Sequence, residues 1–345
     1  MRWPQFGLVF SLCLLPAAIL AQPQPEVAQQ LFLPAGPLSS ERSTTFAASP
    51  EDPAPEKLLG VSDKYEDSHF VTGNEWNLHV FEPHVRDLGG AYLGVGADQA
   101  YIIMGWMRPE LAWLMDYDEH VVHIHRLHLL FFDAADTPER YLHLWSKEGR
   151  TDALELISGK FGDMAERKRY LHRYTNSAGR VSRRLQRVIK RISSPCYLTD
   201  ARQYEFLRTM SQEGRIRPLR ANLLVTGGVQ GIADAARKLN IPIRATYFSN
   251  AEEYWDYGPE FRTNVRALPA DERSLVLRTR GTWESNRDYR YIVQLLENFQ
   301  AVLAIEGIKN LGKYFGRCKV KGYGKADIMV LDVELPEAEA QPGGT

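Results

Sequence analysis

The stretch "GAYLGVGADQAYIIMGWMRPELAWLMDYD" (residues 90–118) limits the fold more than any other part of the chain. A short apolar run ends in two glycines. A helix-length segment follows at 98–108 and is stopped by Pro109. A second apolar run, 111–118, ends in acids. Strand, tight turn, helix and strand in this order make a βαβ unit, and therefore a parallel sheet. The next segment, "HVVHIHRLHLLFFDAA" (120–135), has the length and apolar content of the following helix.

A second α/β section begins near Ala221. "ANLLVTG" is predicted as a strand, "VQGIADAARKLN" as an amphipathic helix, and "IPIRATYFSN" and "SLVLRTRG" (274–281) as strands. In "YIVQLLENFQAVLAI" the apolar positions 291, 292, 295, 296, 299, 302 and 303 follow the spacing of one helix face. "ADIMVLDVEL" (326–335) closes the pattern as a strand. Between the halves, about 140–218, lies a mostly helical basic insert. Its segment 167–192 holds ten Lys or Arg and no acid. An acidic ligand or membrane surface is one reading of that charge. The plainer one is a solvated helix face, because Val181, Leu185, Val188 and Ile192 already form a docking stripe.

The ends differ from this body. Residues 1–21 have Arg2, an apolar run from Phe6 to Leu15, Pro16 and then small residues, which is the layout of an export signal cut near Ala21, with an uncut membrane anchor as the alternative the short run disfavours. The residue before Cys13 does not suit a lipoprotein signal. Residues 22–56 are rich in Pro, Ala, Ser and Gln and read as a disordered leader, and 336–345 as a disordered tail. That leaves 57–335 as a single α/β domain. No further stretch is long and apolar enough to span a bilayer, so stable membrane insertion after signal cleavage is not expected. A formal net charge of −1 argues against a nucleic-acid partner held by charge alone. Cys196 and Cys318 remain after cleavage, and an exported chain could either bridge them or bury both as thiols.

Gly94 and Gly96 mark a turn that lets a ligand approach the backbone, with free N–H groups on the helix that follows. Asp116 stands 20 residues after Gly96, at the end of the next strand, where an acid can hold ribose hydroxyls; Asp118 shares its side of the strand. Gln99 replaces the third glycine of G-x-G-x-x-G. The pattern therefore suits a ligand without a pyrophosphate, such as S-adenosylmethionine. The plainer reading is a tight turn in an α/β core. "VTGGVQG" imitates a dehydrogenase phosphate turn but lacks the Tyr-x-x-x-Lys pair that chemistry needs.

"TYFSNAEEYW" (246–255) ends a strand in Ser249 and Asn250, where open sheets bind ligands, and Glu253 and Tyr254 follow as candidate substrate contacts. Helix capping by Asn250 would explain the same letters. His120, His123, His125 and His128 crowd one helix, but 120/123 and 125/128 point different ways, so no metal site is expected from them. No catalytic residue is assigned.

The segments "SDKYEDSHFVTGNEWNLHVF", "GGAYLGVGADQAYI", "RPELAWLMDYD", "YFSNAEEYW" and "FRTNVRALPADERSLVLRT" resemble a family of bacterial proteins with a Rossmann-like, class I methyltransferase-like domain, over about 60–285. The resemblance implies a mostly parallel sheet with helices on both faces. It implies Gly94, Gly96 and Asp116 at a cofactor and Ser249 and Asn250 at the substrate end of the fourth strand. It implies no settled activity. Two readings follow: an exported, S-adenosylmethionine-dependent methyltransferase-like enzyme, or an exported, non-catalytic small-ligand-binding protein using the same crevice. A third, ranked last, is a metal-dependent hydrolase built on the histidines.

Overall fold

The computed structural model describes residues 36–58, 68–282, 288–315, 319–321 and 328–332. The expected export signal, the first part of the leader, Cys318 and the expected tail lie outside these residues. In chain order the elements are α1 (Ser40–Ala47), a 3-10 turn (Leu78–Phe81), α2 (Glu82–Val85), β1 (Ala91–Val95), α3 (Gln99–Met107), β2 (Leu111–Asp116) and α4 (Glu119–Ala134). The insert supplies α5 (Pro138–Trp145), α6 (Arg150–Lys160), α7 (Met164–Arg191) and α8 (Ala201–Gln212). Then come β3 (Ile216–Arg220), α9 (Gly228–Lys238), β4 (Ile243–Ser249), a 3-10 turn (Ala251–Tyr254) and α10 (Pro259–Ala267). The remaining elements are β5 (Leu275–Gly281), β6 (Tyr289–Leu295), α11 (Leu296–Val302), α12 (Leu311–Phe315), β7 (Lys319–Lys321) and β8 (Ile328–Asp332).

The strands form one sheet in the order β3-β2-β1-β4-β5-β6-β8-β7. The pairs from β3 through β5 are parallel, and so is β6–β8. β5–β6 and β7–β8 run antiparallel. This is a Rossmann-like α/β fold. From β1 the chain crosses outward to β2 and β3, then returns through α9 to β4 on the other side of β1. The switch point of the sheet therefore lies between the carboxyl ends of β1 and β4.

Alternation along the strands sends side chains to two cores. Tyr92, Ala112 and Leu114 join α3, α4 and the insert helices on one face. Ala91, Leu93, Trp113 and Met115 join α1, α9, α10 and α11 on the other. The central strands are buried on both faces, as helices on both sides require. α7 docks through Tyr170, Tyr174, Val181, Leu185 and Val188 while most of its cations face outward. The apolar stripe thus accounts for the helix's place in the fold.

Three expectations are corrected. "ANLLVTG" is a loop, and the strand lies just before it at Ile216–Arg220. Pro218 hides that strand from a sequence reading, yet β3 is an edge strand, where a missing N–H is tolerated. The run 289–295 is strand β6, and the helix begins only at Leu296. Burial of Tyr291, Ile292 and Val293 makes a continuous apolar run that spacing cannot separate from a helix face. Finally, residues 36–56 are not a free leader. Phe46 is buried against Trp113, with ring centroids 4.8 Å apart. The Asp52 carboxylate accepts from Gly228 N at 2.8 Å and Asn222 N at 2.9 Å. Gly227 has φ +155, which glycine alone adopts freely. The turn that imitates a phosphate site is therefore filled by the chain's own carboxylate, at the N-terminus of α9.

Candidate functional site at the carboxyl edge of the sheet

β1 ends in Gly94-Val95, and the Gly96 that follows takes φ +96, so the turn needs glycine. Its N–H points to the Asp116 carboxylate. Its carbonyl accepts from His125 Nε2 at 2.7 Å, while His125 Nδ1 accepts from the Tyr101 hydroxyl at 2.9 Å. A ring that donates at one nitrogen and accepts at the other is neutral. Burial also pushes the His125 pKa down to about 4. His123 is lowered to about 3 by burial and neighbouring arginines, and His128 is lowered by burial and pairs with Tyr141. These three histidines are core groups.

Asp116 closes β2. Its carboxylate accepts from Asp118 N at 2.9 Å and from the Gly96 and Tyr117 N–H groups. Burial lifts its pKa to about 7 against those hydrogen bonds, and the Asp118 charge adds to the rise. Asp118 caps α4: one oxygen accepts from His120 N at 2.9 Å, and the other lies 2.6 Å from His69 Nδ1. The His69 and His120 rings stack with centroids 3.3 Å apart.

The switch point itself is filled by Glu75, which is 1% exposed. Its Oε1 accepts from Tyr247 OH at 2.8 Å and from the Ser249 hydroxyl. Its Oε2 accepts from Gln99 Nε2 at 3.1 Å and Asn74 N at 3.2 Å. Arg184, reaching in from α7, donates to the Glu75 carbonyl at 3.0 Å and to Asp98 Oδ2 at 2.8 Å. The other Asp98 oxygen accepts from Gly73 N at 2.7 Å, and the Arg184 guanidinium covers the Trp76 ring at 4.5 Å. A Cβ on Gly73 would fall 2.6 Å from Gln99 Oε1, so residues 73–76 lie hard against the glycine turn.

The structure thus brings Gly94, Gly96, Gln99, Asp116 and Asp118 together, with Ser249 across from Gln99 and Glu75 between them. Asn250, Glu253 and Tyr254 follow Ser249 directly, past the end of β4. Asn250 does not cap the following 3-10 turn through its side chain; its amide reaches Tyr254 OH at 3.5 Å. Glu253 and Tyr254 line a cleft of about 530 Å³ together with Trp255, Asp256, Arg280 and Asn310. Glu253 accepts from Gly281 N at 3.0 Å, and Asp256 accepts from Asn310 at 2.8 Å. Below the cleft, Glu252 is held by Tyr257 OH at 2.6 Å and by buried Arg278 at 3.1 Å. Burial raises the Glu252 carboxyl, and the arginine charge opposes the rise.

Sequence reasoning missed Glu75, His69, Asp98 and Arg184. Each acts on a partner distant in the chain, and no local spacing marks it. Cys196 is a buried thiol, raised by that burial and hydrogen-bonded within its own turn.

Fold and edge together define a Rossmann-like α/β protein whose switch point is filled from within. The chain belongs to the family described as a domain of unknown function (DUF7790), which matches residues 70–328. No curated protein matches it. No helix among the described residues is long and apolar enough to cross a membrane.

Proposed function

We propose that this is an exported binding protein for a small, positively charged ligand, an amine or guanidine, held in the cleft beside the carboxyl ends of β4 and β5. The observation that carries the reading is Glu75. A carboxylate already saturated by Tyr247, Ser249, Gln99 and Asn74 fills the place where a methyltransferase-like sheet would take its cofactor. Asp116 is likewise occupied by backbone N–H groups rather than turned toward a ribose. The neighbouring cleft offers Glu253 and Asp256 beside Tyr254 and Trp255; Arg280, 4.0 Å from Glu253, is the one cation in its lining among the described residues. Acids beside aromatic faces favour a compact cation.

Export is read from residues 1–21 and is tested by fractionation of the expressing cell. Ligand binding is tested by thermal shift of the full-length chain with agmatine and putrescine as probes. Stabilisation that grows with ligand concentration, and is lost in Glu253→Gln and Tyr254→Ala, supports the reading. A flat response to both probes counts against it.

The methyltransferase-like reading keeps one observation in its favour. The order β3-β2-β1-β4-β5, with a G-x-G turn after β1 and an acid closing β2, is the frame that such enzymes use. For S-adenosylmethionine to occupy that frame, residues 73–76 would have to leave it.

A further inference from the structure

We propose that His69, Asp118 and His120 form a binding site for a single zinc-type divalent cation, distinct from the cleft. One donor atom from each residue lies within 4.8 Å of the other two. Zinc bonded to nitrogen and carboxylate oxygen at about 2.0–2.2 Å needs donors roughly 3–4 Å apart. The set is therefore about 1 Å wider at most than a bound ion needs, a gap of side-chain rather than backbone scale.

The carboxylate is already oriented. Asp118 N is tied to Asp116, and its Oδ1 is taken by His120 N, which leaves Oδ2 turned toward His69. The backbone of His69 is held through its carbonyl by Arg180 at 3.0 Å. Such outer contacts are what fix metal ligands in place. The two imidazoles stack at 3.3 Å beside that carboxylate, which crowds three Lewis bases into one corner. His69 and Asp118 are buried and His120 is half-buried, so an ion would keep a path to solvent. Two nitrogens and one oxygen suit zinc rather than magnesium or calcium, which prefer oxygen alone. Three protein ligands leave a fourth position open for water or for a ligand atom.

The site escapes a sequence reading because His69 comes from a segment 49 residues before Asp118. His120 pairs with it rather than with His123, the neighbour that helical spacing suggests. The proposal goes beyond the cleft reading and stands whether or not an amine binds there.

The test uses the full-length chain, stripped with EDTA and titrated with zinc sulfate by calorimetry. One equivalent with a dissociation constant below about 1 µM is expected. His69→Ala and His120→Ala should each weaken binding at least about tenfold, whereas His172→Ala on α7 should not. If an alanine variant fails to fold, the wild-type chain loaded with cobalt serves instead. Intense visible d–d bands of a four-coordinate nitrogen–oxygen site are expected, displaced by zinc. Zinc that does not bind stoichiometrically, cobalt that stays six-coordinate, or full affinity in the folded His69→Ala/His120→Ala double variant would overturn the proposal.

Discussion

Replacing Glu75 by alanine is the most informative perturbation of the switch point. The carboxylate serves the Tyr247 and Ser249 hydroxyls and the Gln99 amide. Tyr247 and Gln99 are buried, while Ser249 at the strand end can turn toward water. Each buried donor left without a partner costs about 1–3 kcal/mol. Two of them cost about 2–6 kcal/mol, offset in part because a carboxylate no longer has to be desolvated. A net loss of about 3 kcal/mol is expected for Glu75→Ala. Glu75→Gln keeps the shape and one acceptor. The Gln99 amide can turn over and present its own oxygen, which has no partner in the present arrangement. That variant should lose only about 1 kcal/mol. Urea unfolding followed by tryptophan fluorescence measures both, since Trp76 is the adjacent residue. A Glu75→Ala variant within about 0.5 kcal/mol of the wild type would refute the idea that this carboxylate closes the crevice.

Three further outcomes are expected. Arg184→Met leaves Asp98 buried without its cation and should cost about 3–5 kcal/mol, much of it recovered in the Asp98→Asn/Arg184→Met double variant; urea midpoints decide this. Asp52→Ala frees the backbone N–H of Asn222 in the preceding loop and that of Gly228 at the start of α9 and should cost about 2–4 kcal/mol, with amide exchange of Gly228 rising sharply in hydrogen-exchange NMR. The folded-state pKa of His125, about 4, lies below its ordinary 6.5, so the unfolded chain takes up the proton first. Its stabilising contribution is complete above pH 6.5 and is lost as pH falls toward 4, by about 3 kcal/mol. Urea midpoints of the wild type should drop through that window, and by less in His125→Gln.

Much of the frame is legible in the letters, for identifiable reasons. β1, α3, β2, α4, β4 and β5 sit in short apolar runs bounded by Gly, Pro or Asp, and spacing resolves them. β3 is hidden by its proline, and β6 by burial on both faces. The turn at Gly96 and its juxtaposition with Asp116 follow from the spacing of one βαβ unit. Their occupancy does not, because Glu75, Arg184 and Asp52 reach the edge from distant segments. A proline-rich composition also conceals that Phe46 and Asp52 are anchors. Sequence patterning reads what neighbours along the chain do; it is blind to a side chain that closes a gap across the fold.

Glu75 fills the crevice between β1 and β4, and we propose that no nucleoside cofactor enters it. Calorimetric titration of the full-length chain with S-adenosylhomocysteine tests it directly. The account predicts no heat of binding up to about 1 mM, a free energy weaker than about −4 kcal/mol. Saturable one-to-one binding in the micromolar range would contradict it.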